Sequence, residues 1–211
     1  MAALSTLQII VVVSTIFISL ATFLLSSRLL IKYRKTKLNS YLFWGLGISL
    51  FGAAALLEVI FALNIYSTIL IDLYLFIVVL VVQFLSIGSM QMVKEKMYRY
   101  IYYLFSAAIA LLAFLSIVYT NQGYLIQNYV VAGLPTISVI ITSTIATVAS
   151  SIVIVALAIL SYLKKRSNKM LSIIAGVVVV ACAGTLYIAS FPELLYYAEF
   201  LGTLLLWFGF S

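Results

Sequence analysis

From Tyr41 to Leu63, and again from Ile69 to Met90, the chain runs without a single Lys or Arg. Each run is longer than the ~20 apolar residues that carry a helix across the hydrocarbon core of a bilayer. Five more apolar runs lie at about Leu7–Leu25, Tyr98–Tyr119, Thr136–Tyr162, Met170–Ala189 and Leu194–Phe210. With 66% hydrophobic and 8% charged residues in 211, a soluble domain has no means of hiding this apolar surface. Transmembrane strands would alternate polar and apolar residues, and segments such as "LLAFLSIVYT" do not. The expected fold is therefore an all-α integral membrane protein. It is a single domain over residues 1–211 with seven transmembrane helices.

Charge sets the expected orientation. The 12 basic residues form three clusters: Arg28 to Lys37, Lys94 to Arg99, and Lys164 to Lys169. These follow the first, third and fifth runs, so they share one side of a seven-span chain. Basic loops stay cytoplasmic, which puts the N-terminus outside and the C-terminus in the cytoplasm. The formal net charge of +7 is then a statement about sidedness. Arg34, Lys35, Lys37, Lys164, Lys165 and Arg166 are expected to contact anionic headgroups or a cytosolic protein. Nucleic acid is not an expected partner, because no soluble module accompanies the charge. The start, "MAALSTLQIIVVVSTIFISL", has its positive charge after the apolar run, so it reads as an uncleaved first span. Tyr and Trp near the run ends, including Trp44, Tyr102, Tyr196 and Trp207, read as interfacial belts.

One connection is long. "NQGYLIQNYVVAGLP", Asn121–Pro135, is uncharged and Tyr-rich, and is expected to be a surface loop, with a flap, a re-entrant segment or a lid as alternatives. Spans one to three and five to seven share a plan about span four, a layout compatible with a parallel internal repeat.

Ionisable groups inside spans are costly and mark function by default. Glu95 sits in a basic cluster, while Glu58, Asp72, Glu193 and Glu199 all fall in the opposite half. Glu58 and Asp72 are equally far from Ile65, the expected tip of their hairpin, and Glu199 is as far beyond Pro192. At 1.5 Å per residue each lies roughly 10 Å deep. Glu58, Asp72 and Glu199, with the buried polar Gln83, form the candidate outer-half site. No base shares that side. Converging carboxylates there would share protons or take up a hard cation or a protonated amine. The alternative is that Asp72 and Glu193 cap helices near the headgroups while Glu58 and Glu199 bond Tyr or Ser hydroxyls.

In the fifth span Thr136, Ser143, Thr144, Thr147, Ser150 and Ser151 fall within an arc of about 120°. Such a stripe lines a polar cavity or lets helices pack closely. The stripe residues kept as candidates are Thr136, Ser143, Thr147 and Ser150. Small residues in span two (Gly45, Ser49, Gly52, Ala53) and span six (Gly176, Cys182, Ala183, Gly184) read as helix contact surfaces.

With no His and one Cys, Cys182, the chain has no disulfide framework and none of the usual zinc, haem or triad constellations. The expectation is a non-enzyme without cofactor.

The segment "SYLFWGLGISLFGAAALLEVIFA" resembles the second helix of the seven-helix sensory regions that precede prokaryotic histidine-kinase-type modules, with Trp44 early and Glu58 near the outer end. Span number and the outside N-terminus agree, but here the chain stops at "WFGFS", so the resemblance implies signalling through a separate partner. The layout is also similar to microbial rhodopsins, but the last run, "LLYYAEFLGTLLLWFGF", has no Lys to hold retinal. The expected function is a stand-alone sensor or an accessory subunit of a membrane complex in the plasma membrane. The alternative is a small transporter or channel for a cation or small molecule.

Overall fold

The computed structural model describes residues 6–120, 125–127, 130–131, 133–188 and 192–210. Among them are seven helices: α1 (Thr6–Thr36), α2 (Asn39–Ala62), α3 (Thr68–Met90), α4 (Lys96–Val118), α5 (Ile137–Lys165), α6 (Asn168–Ile188) and α7 (Pro192–Phe210). Two short strands, β1 (Ile126–Gln127) and β2 (Val130–Val131), pair antiparallel between α4 and α5. Five helices, α1 to α5, are long and apolar enough to cross a membrane.

α1 outruns its apolar stretch by three turns, through "SRLLIKYRKT". Leu, Arg and Lys are strong helix formers, and Leu29 within this extension is buried. The helix stops only at Lys37, in the left-handed region at φ 56°, and α5 stops the same way at Arg166, φ 47°. Asn64 ends the α2 turn at φ 63°, a conformation that Asn tolerates better than most residues.

Small residues set the helix contacts. Ser19 Oγ donates to the Gly52 carbonyl (3.0 Å) and Ser26 Oγ to the Gly45 carbonyl (2.8 Å), with Ser49 Oγ 2.6 Å from Ser26 Oγ. These pairs fix α1 antiparallel to α2. A Cβ at Gly52 would come within 2.6 Å of Thr22 Oγ1. On the other flank of α2, Gly47 lies against Leu85, and Gly88 of α3 lies under the Trp44 ring. Gly176 and Gly202 bring α6 and α7 together in the same way. The side chains of Cys182 and Ala183, and Gly184 with them, lie outside the described residues.

The helices close into a ring. α1 packs on α2, α2 on α3, α3 on α5, α5 on α6, α6 on α7, and α7 returns to α1. The closing contacts are Phe17 against Phe200 (5.0 Å between ring centroids), Arg28 over the Trp207 ring (4.7 Å), and Lys32 Nζ donating to the Phe210 carbonyl (3.1 Å). α4 stands outside, in the groove between α3 and α5, where Ile109 and Ala113 meet Val79 and Ala146. Tyr102 ties it in, donating to Ser86 Oγ (2.7 Å) and reaching Ser150 Oγ (3.3 Å).

The bundle has two unlike ends. One carries the basic α1–α2, α3–α4 and α5–α6 connections; the other carries the strand pair. At the basic end the ring interior is apolar. Trp44, Leu85, Ile154, Ile173, Leu206 and Phe210 face a small cavity with almost no polar wall. At the other end Leu125 packs with Leu57, Phe61, Ile71 and Tyr74, so the strand pair covers the tips of α2 and α3. The expected loop is thus partly a β-hairpin seated on the bundle.

A buried carboxylate cluster as candidate functional site

Glu58 lies one turn before the end of α2 and is only 3% exposed. Tyr74 of α3, 6% exposed, donates its hydroxyl hydrogen to Glu58 Oε1 at 2.7 Å. The antiparallel α2–α3 hairpin brings the two together. Phe61, one turn beyond Glu58, holds the Tyr74 ring edge-on at 5.7 Å. Glu58 Oε2 is buried and accepts no hydrogen bond among the described residues.

Glu199 of α7 faces the same region and interacts electrostatically with Glu58 and with Tyr74. Tyr196 precedes Glu199 by one turn, is 2% exposed and lies in the field of Tyr74. Two carboxyl groups and two phenols from α2, α3 and α7 therefore gather toward the ring interior below the strand pair. Among the described residues no base acts on either carboxyl group, and residues 38–93 and 170–211 contain no Lys, Arg or His.

Asp72 does not join them. It matches Glu58 in depth but precedes Tyr74 by two residues, about 200° around α3, and so points elsewhere. It is half-exposed, with Oδ1 buried and without a hydrogen-bond partner among the described residues. Nor does Asp72 cap α3: the cap is Ser67, whose Oγ accepts from the Leu70 amide at 3.3 Å. Gln83 is buried but lies nine residues beyond Tyr74, about 14 Å along α3 on its opposite face. The side chain of Glu193 lies outside the described residues.

Of the span-five hydroxyls, Ser150 meets Tyr102 of a neighbouring helix, Thr136 Oγ1 donates to Thr120 Oγ1 (3.1 Å) just beyond α4, and Ser143 Oγ bonds back within α5 to the Ile140 carbonyl (3.1 Å). Thr147 is half-buried beside them. Of the basic candidates, Arg34, Lys35, Lys37, Lys164 and Arg166 are exposed, and the side chain of Lys165 lies outside the described residues.

Sequence reasoning offered a Tyr or Ser hydroxyl on Glu58 as its alternative without naming Tyr74, and assigned Tyr196 and Tyr102 to the interfacial belts. All three are drawn into helix contacts instead. For Tyr74 the signal was present: it lies across the hairpin from Glu58, at a position that turns it toward α2.

A buried carboxyl group facing a half-buried one, with no positive partner, is costly in an apolar bundle. The arrangement is stable when a proton or a small cation neutralises it, and its donors are all oxygens, the set that suits hard cations and ammonium groups. No cluster of three or more His, Cys, Asp or Glu side chains occurs among the described residues. Comparison with protein-family models, with curated proteins and with solved structures finds no match.

Proposed function

We propose that the chain is a seven-span, non-enzymatic protein of the plasma membrane, with its N-terminus outside and its basic connections and C-terminus in the cytoplasm. It acts as a sensor or accessory subunit that responds to a proton or small cation at Glu58, Tyr74 and Glu199 and passes the response to a separate membrane or cytosolic partner. The observation that carries this reading is Glu58: buried, bonded at one oxygen by Tyr74, unpartnered at the other, and facing Glu199 with no base in reach. The resemblance of α2 to the helices of prokaryotic sensory regions points the same way.

A transporter or channel is the weaker reading. It needs a continuous polar path, and the cavity at the basic end is walled by apolar side chains, among them Trp44, Leu85, Ile173 and Phe210. A responsive site at one end with a closed apolar half at the other fits a protein that reports occupancy better than one that conducts.

The test is thermal unfolding of the full chain in detergent, with sodium, calcium or a primary amine added in turn. A bound cation at 100 times its dissociation constant stabilises by about 2.7 kcal/mol, roughly 5–10 °C for a chain of this size. Both Glu58→Gln and Glu199→Gln should abolish that shift. An infrared carboxylic C=O band that disappears in Glu58→Gln would identify a shared proton as the neutralising species. If no cation shifts the melting temperature and no such band exists, the sensing site is wrong. Cation uptake into vesicles that depends on Glu58 would instead establish transport.

A further inference from the structure

A second polar feature lies at the basic end, away from the carboxylates. A cleft of about 290 Å³ opens between the start of α2, the end of α3 and the start of α4. That volume is at the small end of the ~300–1,000 Å³ typical of small-molecule sites. Asn39, Gln91, Lys96 and Arg99 bring polar or cationic groups to it, and Phe43 and Tyr100 bring rings. Gln91 is held in place by donating from its amide to the Tyr103 hydroxyl. Lys96 and Arg99 are one turn apart at the N-terminus of α4, and among the described residues neither is held by an ion pair or a side-chain hydrogen bond. Glu95 precedes them but makes no side-chain cap, so the first amides of α4 also leave positive charge at this end. Lys94 adds an exposed cation beside it.

We propose that this cleft binds the phosphodiester headgroup of an anionic glycerophospholipid. Lys96 and Arg99 hold the phosphate, with Arg99 offering a planar fork that matches two of its oxygens. Asn39 and Gln91 take the remaining headgroup oxygens. The argument for a lipid rather than free phosphate is the surface that continues the cleft. Leu104 and Leu111 extend the Tyr100 face of α4 and are 75% and 59% exposed, forming an apolar track for an acyl chain. Since α4 stands outside the ring, that track is open to lipid. The proposal rests on the membrane-spanning reading above and is independent of the carboxylate cluster.

The test uses the full chain, delipidated in detergent and titrated with phosphatidylglycerol and with phosphatidylcholine while bound lipid is counted by native mass spectrometry. One phosphatidylglycerol should be retained in preference to phosphatidylcholine. K96Q/R99Q should weaken it by about 25-fold, at roughly a factor of five per lost charge. R99K, which keeps the charge and loses the fork, should weaken it severalfold, whereas K169Q at the start of α6, where Lys169 is exposed, should leave it unchanged. Equal retention by wild type and K96Q/R99Q would overturn the proposal. So would displacement of the lipid by millimolar inorganic phosphate, which would mark a free-anion site. Because the measurement is made in detergent, its failure is distinct from a failure of the spanning reading, which sidedness of labelling decides.

Discussion

Tyr74 is the single protein group that satisfies an oxygen of Glu58 among the described residues. Tyr74→Phe keeps the ring against Phe61 and removes only the donor, so Oε1 joins Oε2 in having no partner among the described residues. We expect a loss of about 1–3 kcal/mol, read from denaturant unfolding in detergent. Tyr74→Phe in a Glu58→Gln background should cost less, and the difference measures the coupling within the pair. The backbone makes a separate prediction. Lys37 and Arg166 hold left-handed conformations that cost a side-chain-bearing residue about 1–2 kcal/mol. Glycine at either position should raise stability by up to about 1 kcal/mol, and Asn64→Gly should change little, as thermal melts would show. At this scale the sequence was half legible. The depth of Glu58 followed from counting along its helix, but which carboxylates share a face depends on helix rotation. Asp72 shows the limit: equal depth, and about 200° away from the residue that makes the contact.

Between helices, close approach is set by glycines, and the cost of filling each depends on what stands opposite. At Gly52 a new Cβ meets Thr22 Oγ1 at 2.6 Å, and that hydroxyl is tethered to the carbonyls of Ile18 and Ser19. At Gly45 it meets the end of the Leu30 side chain at 2.9 Å, which has freedom to move. Gly52→Ala should therefore cost about 1–3 kcal/mol and Gly45→Ala clearly less, in the same unfolding measurement. Arg28 and Lys32, which the charge pattern assigns simply to topology, instead pin α7 to α1. Arg28→Ala should destabilise by about 0.5–1 kcal/mol through the lost contact with Trp207. The seven helices and the small-residue contacts of α2 were readable because apolar length and residue size are local properties. The strand pair was not, since two-residue strands carry no periodicity. What anchors it is Leu125, buried among residues more than fifty positions away in sequence.

The whole molecule is a ring of six helices with α4 outside, acidic and phenolic inside at one end, apolar inside at the other. Order of helices and segregation of charge could be read from the chain. The ring could not, because a run of apolar residues does not say that α3 passes over α4 to pack on α5. The spanning reading makes its own prediction at this scale. In a Cys182→Ser background, single cysteines at Lys35 and Lys164 should react with an impermeant reagent from one side of sealed vesicles, and a cysteine at Ile65 from the other. Reaction of all three from the same side would remove the seven-span arrangement.

Closure of the ring by α1 and α7 has a consequence for how the protein is made. Of the two helices that complete it, α1 leaves the ribosome well before α7. At ~5–20 residues per second, on the order of 10–40 s separates their synthesis. Through that interval the flank of α1 that carries Phe17, Arg28 and Lys32 must rest against lipid or an insertion factor, and Glu58 must wait without Glu199. The carboxylate cluster is assembled only once α7 has been made, so a chain stalled before α7 holds a buried acid whose intended neighbour has not yet arrived.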